Sequence, residues 1–116
     1  MSRITKGEIY WANLSPTVGS EISKTRPVLI VSNDINNQYA DLVTILPITS
    51  KLGNIYPFEV PIKGGMGGLK EPGKIKANQI RTVDKRRLSA KPLGPPVEDH
   101  TMSLVDAALK LHLNLS

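Results

Sequence analysis

The stretch Thr25-Arg26-Pro27-Val28-Leu29-Ile30-Val31-Ser32-Asn33-Asp34 carries two local signals side by side. Its Val-Leu-Ile-Val run is apolar without alternation, which predicts a strand over Arg26–Ser32 that is buried on both faces. Asn33 and Asp34 follow. Such side chains accept the free amides of a first helical turn, so a short helical turn is expected through Tyr39.

Working outward, Glu8–Leu14 is rich in β-formers (Ile9, Tyr10, Trp11) and predicts a strand before this one. Ser15-Pro16 and Gly19 open a loop that runs to Lys24 or Thr25. On the other side, Leu42–Leu46 reads as a third strand stopped by Pro47, and a loop with Gly53 and Asn54 leads to a fourth, Phe58–Ile62. Gly64-Gly65-Met66-Gly67-Gly68 reads as a flexible loop; it lacks the strand–helix setting and the Lys-Ser/Thr ending of a nucleotide phosphate loop. A fifth strand is expected over Lys74–Ile80, with Arg81–Val83 following and a turn at Asp84–Leu88. Pro92, Pro95 and Pro96 then break the chain, and Glu98 and Asp99 suit the positive end of a helix. Met102, Val105, Leu109, His112 and Leu113 recur at helical steps, which predicts an amphipathic helix of about five turns with His112 against the sheet. No repeat or low-complexity tract interrupts this order. The expected architecture is mainly β with a C-terminal α-helix: one domain over residues 1–116, a small β-barrel or two-sheet core on which the helix packs.

Composition narrows the function. Of 116 residues, 40% are hydrophobic and only 4% aromatic, so a core is expected but a broad base-stacking platform is not. Cysteine is absent, which removes thiol nucleophiles, thiolate-bound metals and disulfides and fits a reducing compartment. The N-terminal residues hold no apolar signal region and the longest apolar run is far too short for a membrane span, so a cytoplasmic protein without membrane contact is expected. The net charge is +5, and it is not evenly spread: residues 63–91 hold nine basic residues against Glu71 and Asp84, a local +7. Such a block makes a field that points to an anionic partner.

No metal site is expected, because there is no HExxH, no Cys/His cluster and no Asp-x-Asp run. His100 and His112 are separated by about 120° around a helix and do not converge. No Ser stands in a Gly-x-Ser-x-Gly elbow. What remains are Arg, Lys, Thr, Ser and backbone amides, which suit phosphodiester chemistry. Arg is a permanent bidentate donor to phosphate, and hydroxyls and amides add hydrogen bonds to developing charge. RNA brings its own nucleophile, the 2′-OH, so the protein need only orient, neutralise and help move protons.

Four segments resemble one family. Gly7-Glu8-Ile9-Tyr10-Trp11-Ala12-Asn13-Leu14-Ser15-Pro16-Thr17-Val18-Gly19-Ser20-Glu21, Thr25 to Asp34 as quoted, Leu46-Pro47-Ile48-Thr49-Ser50, and Gln79-Ile80-Arg81-Thr82-Val83-Asp84-Lys85-Arg86-Arg87-Leu88 look in order like the signature blocks of the MazF/PemK (Kid) toxins. The resemblance implies a small SH3-like β-barrel of the MazF/CcdB type. It implies a homodimeric toxin of a type II toxin–antitoxin system that cleaves single-stranded RNA (mRNA) at short motifs and is silenced by an acidic, MazE-like antitoxin. It further implies metal-independent, cofactor-free cleavage leaving a 2′,3′-cyclic phosphate and a 5′-OH. Carried over by residue, it makes Arg26 and Thr49 the catalytic pair and Ser50 a phosphate or base contact. In the Kid branch an Asp and a His are proposed for proton transfer. The matching positions here are Asn78 and Ser20, and the Arg of that site matches Lys76, so the chain is similar to the Bacillus-type arrangement of Arg plus Thr. Lys76, Asn78 and Gln79 are then expected to bind RNA, and Glu21 is a candidate proton acceptor at the RNA site. The plain structural alternatives are an Arg26 ion pair with Glu21 or Glu8 and a Thr49 hydroxyl that caps the Ser50–Lys51 turn. Other functions on this fold are a CcdB-like gyrase poison, whose Trp–Gly–Ile ending is missing here (the chain ends Leu113-Asn114-Leu115-Ser116 and its one Trp is Trp11), and a non-catalytic RNA-binding barrel.

Overall fold

The apolar run is covered on both faces, as its lack of alternation predicts. In the computed structural model, which describes residues 3–116, it forms β2 (Thr25–Ile30), antiparallel to β1 (Ile9–Asn13) on one edge and to β3 (Leu42–Thr49) on the other. Met1 and Ser2, the start of the expected domain, lie outside the described residues. Val28 and Ile30 join one core with Tyr10, Leu14, Val43 and Ile45, while Leu29 joins a second with Ile9, Leu46, Ile48 and Ile75. Each such fully buried side chain contributes roughly 1.5–3 kcal/mol of transfer free energy. The strand ends two residues earlier than expected because the amides of Val31 and Ser32 both turn to the Thr44 carbonyl. Asn33 then caps α1 (Asp34–Tyr39) by accepting the Asn36 amide at 2.8 Å.

β3 is longer than the sequence suggests. Pro47 does not stop it, and the strand runs on to Thr49. One edge of β3 pairs with β6 (Arg81–Asp84) up to Ile45–Arg81, then with β5 (Gly73–Lys76) from Ile48–Ile75. On the other edge Val28–Pro47 is the last pair with β2. Pro47 therefore sits where β3 passes from one sheet to another, a place where its missing N–H is tolerated. β4 (Glu59–Ile62) completes the second sheet beside β5.

The single strand expected over Lys74–Ile80 is broken. β5 stops at Lys76, a 3₁₀ turn covers Ala77–Gln79, and β6 begins at Arg81. The break lies beside the β3 handover: β6 pairs with the start of β3 and β5 with its end.

Residues 88–97 run antiparallel along the outer edge of β1, with Ser89, Leu93 and Val97 amides on the Trp11, Ile9 and Gly7 carbonyls at 2.8–2.9 Å. Among the described residues, apart from the Ala12–Leu88 bridge, no regular ladder closes the sheet, so "barrel" describes it loosely. Prolines 92, 95 and 96 in this segment leave its own outer side a poor template for further pairing.

The glycine stretch is not a free loop. Gly68 has φ +85° and lies backbone to backbone on Leu93–Gly94; a Cβ there would fall 2.2 Å from the Leu93 oxygen. The helix α2 (Asp99–Leu113) has fifteen residues, about four turns rather than five. Thr101, Val105 and Ala108 are buried with Met102 and Leu109 partly so, whereas His112 and Leu113 are exposed. α2 packs on β4. Four strand residues span about 13 Å, enough for about nine helical residues at 1.5 Å each, which matches Thr101–Leu109 and leaves the last turn free. Among the described residues no helix is long and apolar enough to cross a membrane.

Gly68→Ala should destabilise the fold by at least about 2 kcal/mol, through both the left-handed φ and the backbone clash. Urea denaturation checks this, with Gly65→Ala, whose Cβ meets nothing within 4 Å, separating the cost of φ from that of the clash.

Candidate active site

Two steps past the last β2–β3 pair, Val28–Pro47, the same register sets Arg26 opposite Thr49. At that point β3 has turned to β5, and the two strands part. The gap opens into a groove of about 1180 Å³ whose lining includes Arg26, Thr49, Ser50, Glu21, Lys76 and Gln79. The structure thus brings together six of the seven residues singled out above. Asn78 is the exception: it stands on the 3₁₀ turn that packs against α2 and does not line the groove.

Arg26 is exposed, and among the described residues its guanidinium forms no ion pair, with Glu8, Glu21 or any other acid. Thr49 does cap its turn: its Oγ1 accepts the Lys51 amide at 3.2 Å. That contact uses a lone pair, so the hydroxyl proton stays available to a ligand oxygen. Both groups can therefore donate into the groove.

The loop before β2 is fixed at its base. Arg87 Nη1 donates to the carbonyls of Asn13 (3.0 Å) and Ser15 (2.8 Å), and Arg81 Nη1 donates to that of Leu14 (2.6 Å). The Ile22 amide donates to Gln79 Oε1 at 2.8 Å, which gives Gln79 a loop-holding role in addition to its place in the lining. Glu21 Oε1 accepts the Val18 amide at 2.6 Å, so this carboxylate is held at the groove rim with its second oxygen unengaged by that bond.

The +7 block divides. Only Lys70, Lys74, Lys76 and Lys91 of its nine basic residues line the groove. Arg81 and Arg87 brace the loop, and Arg86 pairs with Asp84, whose carboxyl its hydrogen bonds hold below the usual range. Arg26 and Lys51 make up the difference from outside the block, so the lining carries six cations against Glu21 and Glu71.

One feature of this site went unread in the sequence. Glu59, 5% exposed, lies behind the lining with Lys74 Nζ at 3.0 Å and Lys76 Nζ at 2.9 Å. An acid inside a strand of otherwise apolar character was the available signal, but its partners lie on β5 and need the β4–β5 register to be named. Burial alone would raise the Glu59 pKa. The Tyr56 amide and the two ammonium groups outweigh it and lower the carboxyl from 4.5 to about 2.

A family model for the PemK-like, MazF-like toxins of type II toxin–antitoxin systems matches residues 5–113. The chain is 38% identical over 115 residues to Endoribonuclease MazF9 of Mycobacterium tuberculosis (strain ATCC 25618 / H37Rv), covering 95% of this chain and 96% of that protein. It is 37% identical over 113 residues to Endoribonuclease EndoA of Bacillus subtilis (strain 168), covering 97% and 96%. Among solved structures, MazF from Deinococcus radiodurans superposes with a TM-score of 0.84 at 27% identity, over 98% of this chain and 99% of that one. An endoribonuclease in complex with its cognate antitoxin from a mycobacterial species does so with 0.77 at 27%, over 100% and 98%.

Glu59 sets a pH dependence. A carboxyl whose pKa is lower in the fold than in the unfolded chain stabilises the fold above about pH 4.5, and that stabilisation is lost as pH falls toward 2. The shift corresponds to on the order of 3 kcal/mol. Urea denaturation at pH 6 and pH 3 should show a steep loss for the wild type and a flatter one for Glu59→Gln.

Proposed function

The chain belongs to the PemK-like, MazF-like toxins of type II toxin–antitoxin systems, and we propose that it is a sequence-selective endoribonuclease acting on single-stranded RNA with Arg26 and Thr49 as its catalytic pair. The observation that carries this is the placement of an unpaired guanidinium and a donor-competent hydroxyl across one cationic groove. That is a site for an oxyanion, and it lies on a chain whose relatives are named endoribonucleases.

The reaction follows from the groups present. The ribose 2′-oxygen attacks the adjacent phosphorus, a P–O bond forms, and the bond to the 5′-oxygen breaks. The products are a 2′,3′-cyclic phosphate and a 5′-OH. Arg26 and the Thr49 hydroxyl donate to the phosphoryl oxygens as charge builds on them. The Glu21 carboxylate at the rim is the candidate to take the 2′-OH proton, and the leaving 5′-oxygen is protonated from water. Ser50, Lys76 and Gln79 line the path on which the flanking nucleotides would lie. Because RNA supplies the nucleophile, the reaction is proposed to be metal-independent.

The same reading places the protein in the cytoplasm as a homodimer. Exposed Leu104, Leu111 and Leu113 on α2, with Leu115 just beyond it, offer apolar surface for a two-fold contact. An acidic antitoxin of the MazE type would cover the cationic groove; solved relatives include a toxin with its cognate antitoxin.

Arg26→Ala should lower the cleavage rate by at least about 100-fold, and Thr49→Val by a comparable factor, with unchanged thermal melting. Wild-type rates in purified Arg26→Ala would overturn the assignment. Cleavage should continue in EDTA and leave a cyclic phosphate, read by mass spectrometry of the 3′ end; loss of activity with the chelator would refute metal independence.

A further inference from the structure

We propose that Lys74 and Lys76, held on the buried Glu59 carboxylate, form a second phosphate site that takes the RNA phosphate next to the scissile one. Glu59 stands directly opposite Lys76 in the β4–β5 ladder, and Lys74 follows on the same face of β5 about 6.7 Å away. Lys74 is in turn the cross-strand partner of Thr49. The row Thr49, Lys74, Lys76 thus leads away from the reacting group along the second sheet, and all three line the groove.

The charge balance points to a ligand. Two ammonium groups share one buried carboxylate, with Glu59 5% and Lys74 8% exposed and the Lys76 side chain 20% exposed. Holding a surplus cation out of water costs stability. Of the six ammonium hydrogens, Asn54 O and Glu59 Oε1 take two, both from Lys74; Lys76 Nζ lies 2.9 Å from Glu59 Oε2 as an ion pair without hydrogen-bond geometry, and the rest have no protein acceptor among the described residues. An anion with several acceptor oxygens completes this arrangement, and a phosphodiester matches both the charge and the hydrogen-bond count. The carboxylate fixes the two lysines in advance, so little side-chain freedom is lost when the anion binds.

This rests on the RNA-cleaving reading, and the test separates the two. The probe is a short RNA spanning a cleavage site mapped by primer extension, with 2′-deoxyribose at the reacting position and one neutral methylphosphonate moved along the backbone. In the wild type, a methylphosphonate adjacent to the scissile position should weaken binding about tenfold. In Lys76→Gln, binding is weaker overall, the log K versus log salt slope falls by about 0.7, and the same methylphosphonate costs less than about threefold. Lys76→Arg should restore the sensitivity. Equal sensitivity of Lys76→Gln and wild type at every adjacent phosphate overturns the proposal. So does a loss of sensitivity confined to the scissile phosphate, which would put Lys76 on the reacting group. If Lys76→Gln does not fold, the wild-type scan decides: an adjacent methylphosphonate without effect overturns the site. Cleavage of the unmodified RNA reports separately on the catalytic reading, so intact cleavage with a flat scan removes the second site alone.

Discussion

β3 belongs to two sheets, and that double membership organises the molecule. Leu42–Ile45 pair with β6, Ile45–Pro47 with β2 on the other edge, and Ile48 and Thr49 with β5. Because successive side chains of a strand alternate in direction, a one-residue slip would turn Val43 and Ile45 out of their core and unmatch three ladders together. The same handover creates the groove. β2 and β3 are paired as far as Val28–Pro47, and when β3 leaves for β5 the next residues on that face, Arg26 and Thr49, are left opposite each other with space between them. The Arg26–Thr49 spacing is thus a property of where one ladder ends, and Pro47, which cannot donate to a ladder, marks the place.

Charge is used in two ways that a net count does not separate. Part of the basic block faces the groove. Arg81 and Arg87 instead donate to three carbonyls at the base of the loop before β2, and so keep Glu21 and Arg26 near one another by clamping the chain on which both depend. Guanidinium is suited to this, since its fixed fork can serve several acceptors while remaining charged. The field in the groove therefore comes from four lysines on β5 and nearby loops together with Arg26 and Lys51, groups from different stretches of the sequence that the fold collects.

Much of this was legible beforehand, and the misses share a cause. The two-faced burial of Val28–Ile30, the Asn33 cap and the amphipathic face of α2 as far as Leu109 are local signals and appear as read, whereas His112 and Leu113 lie past the buried face. Pro47 reads locally as a stop, the Lys74–Ile80 stretch as one strand and the glycines at 64–68 as flexible; each is decided by a partner far along the chain. At the groove, Arg26 and Thr49 were singled out through family-like motifs rather than periodicity, and the fold sets both in its lining. The Glu59–Lys74–Lys76 cluster was missed because only strand register brings it together. Asn78, aligned with a family site position, stands on the 3₁₀ turn after β5 and does not line the groove.

The cover on β1 has a consequence for biosynthesis. Trp11 is secured by Ser89, 78 residues later, and Ser89 to Leu93 also form part of the groove wall. At translation speeds of roughly 5–20 residues per second, about 4 to 16 s separate the emergence of these partners. During that interval the first strand has an open edge and the groove has no far wall. The groove is thus not walled until residues 89–93, at the start of the last quarter of the sequence, have been made, and a chain that ends before them carries Arg26 and Thr49 without that wall.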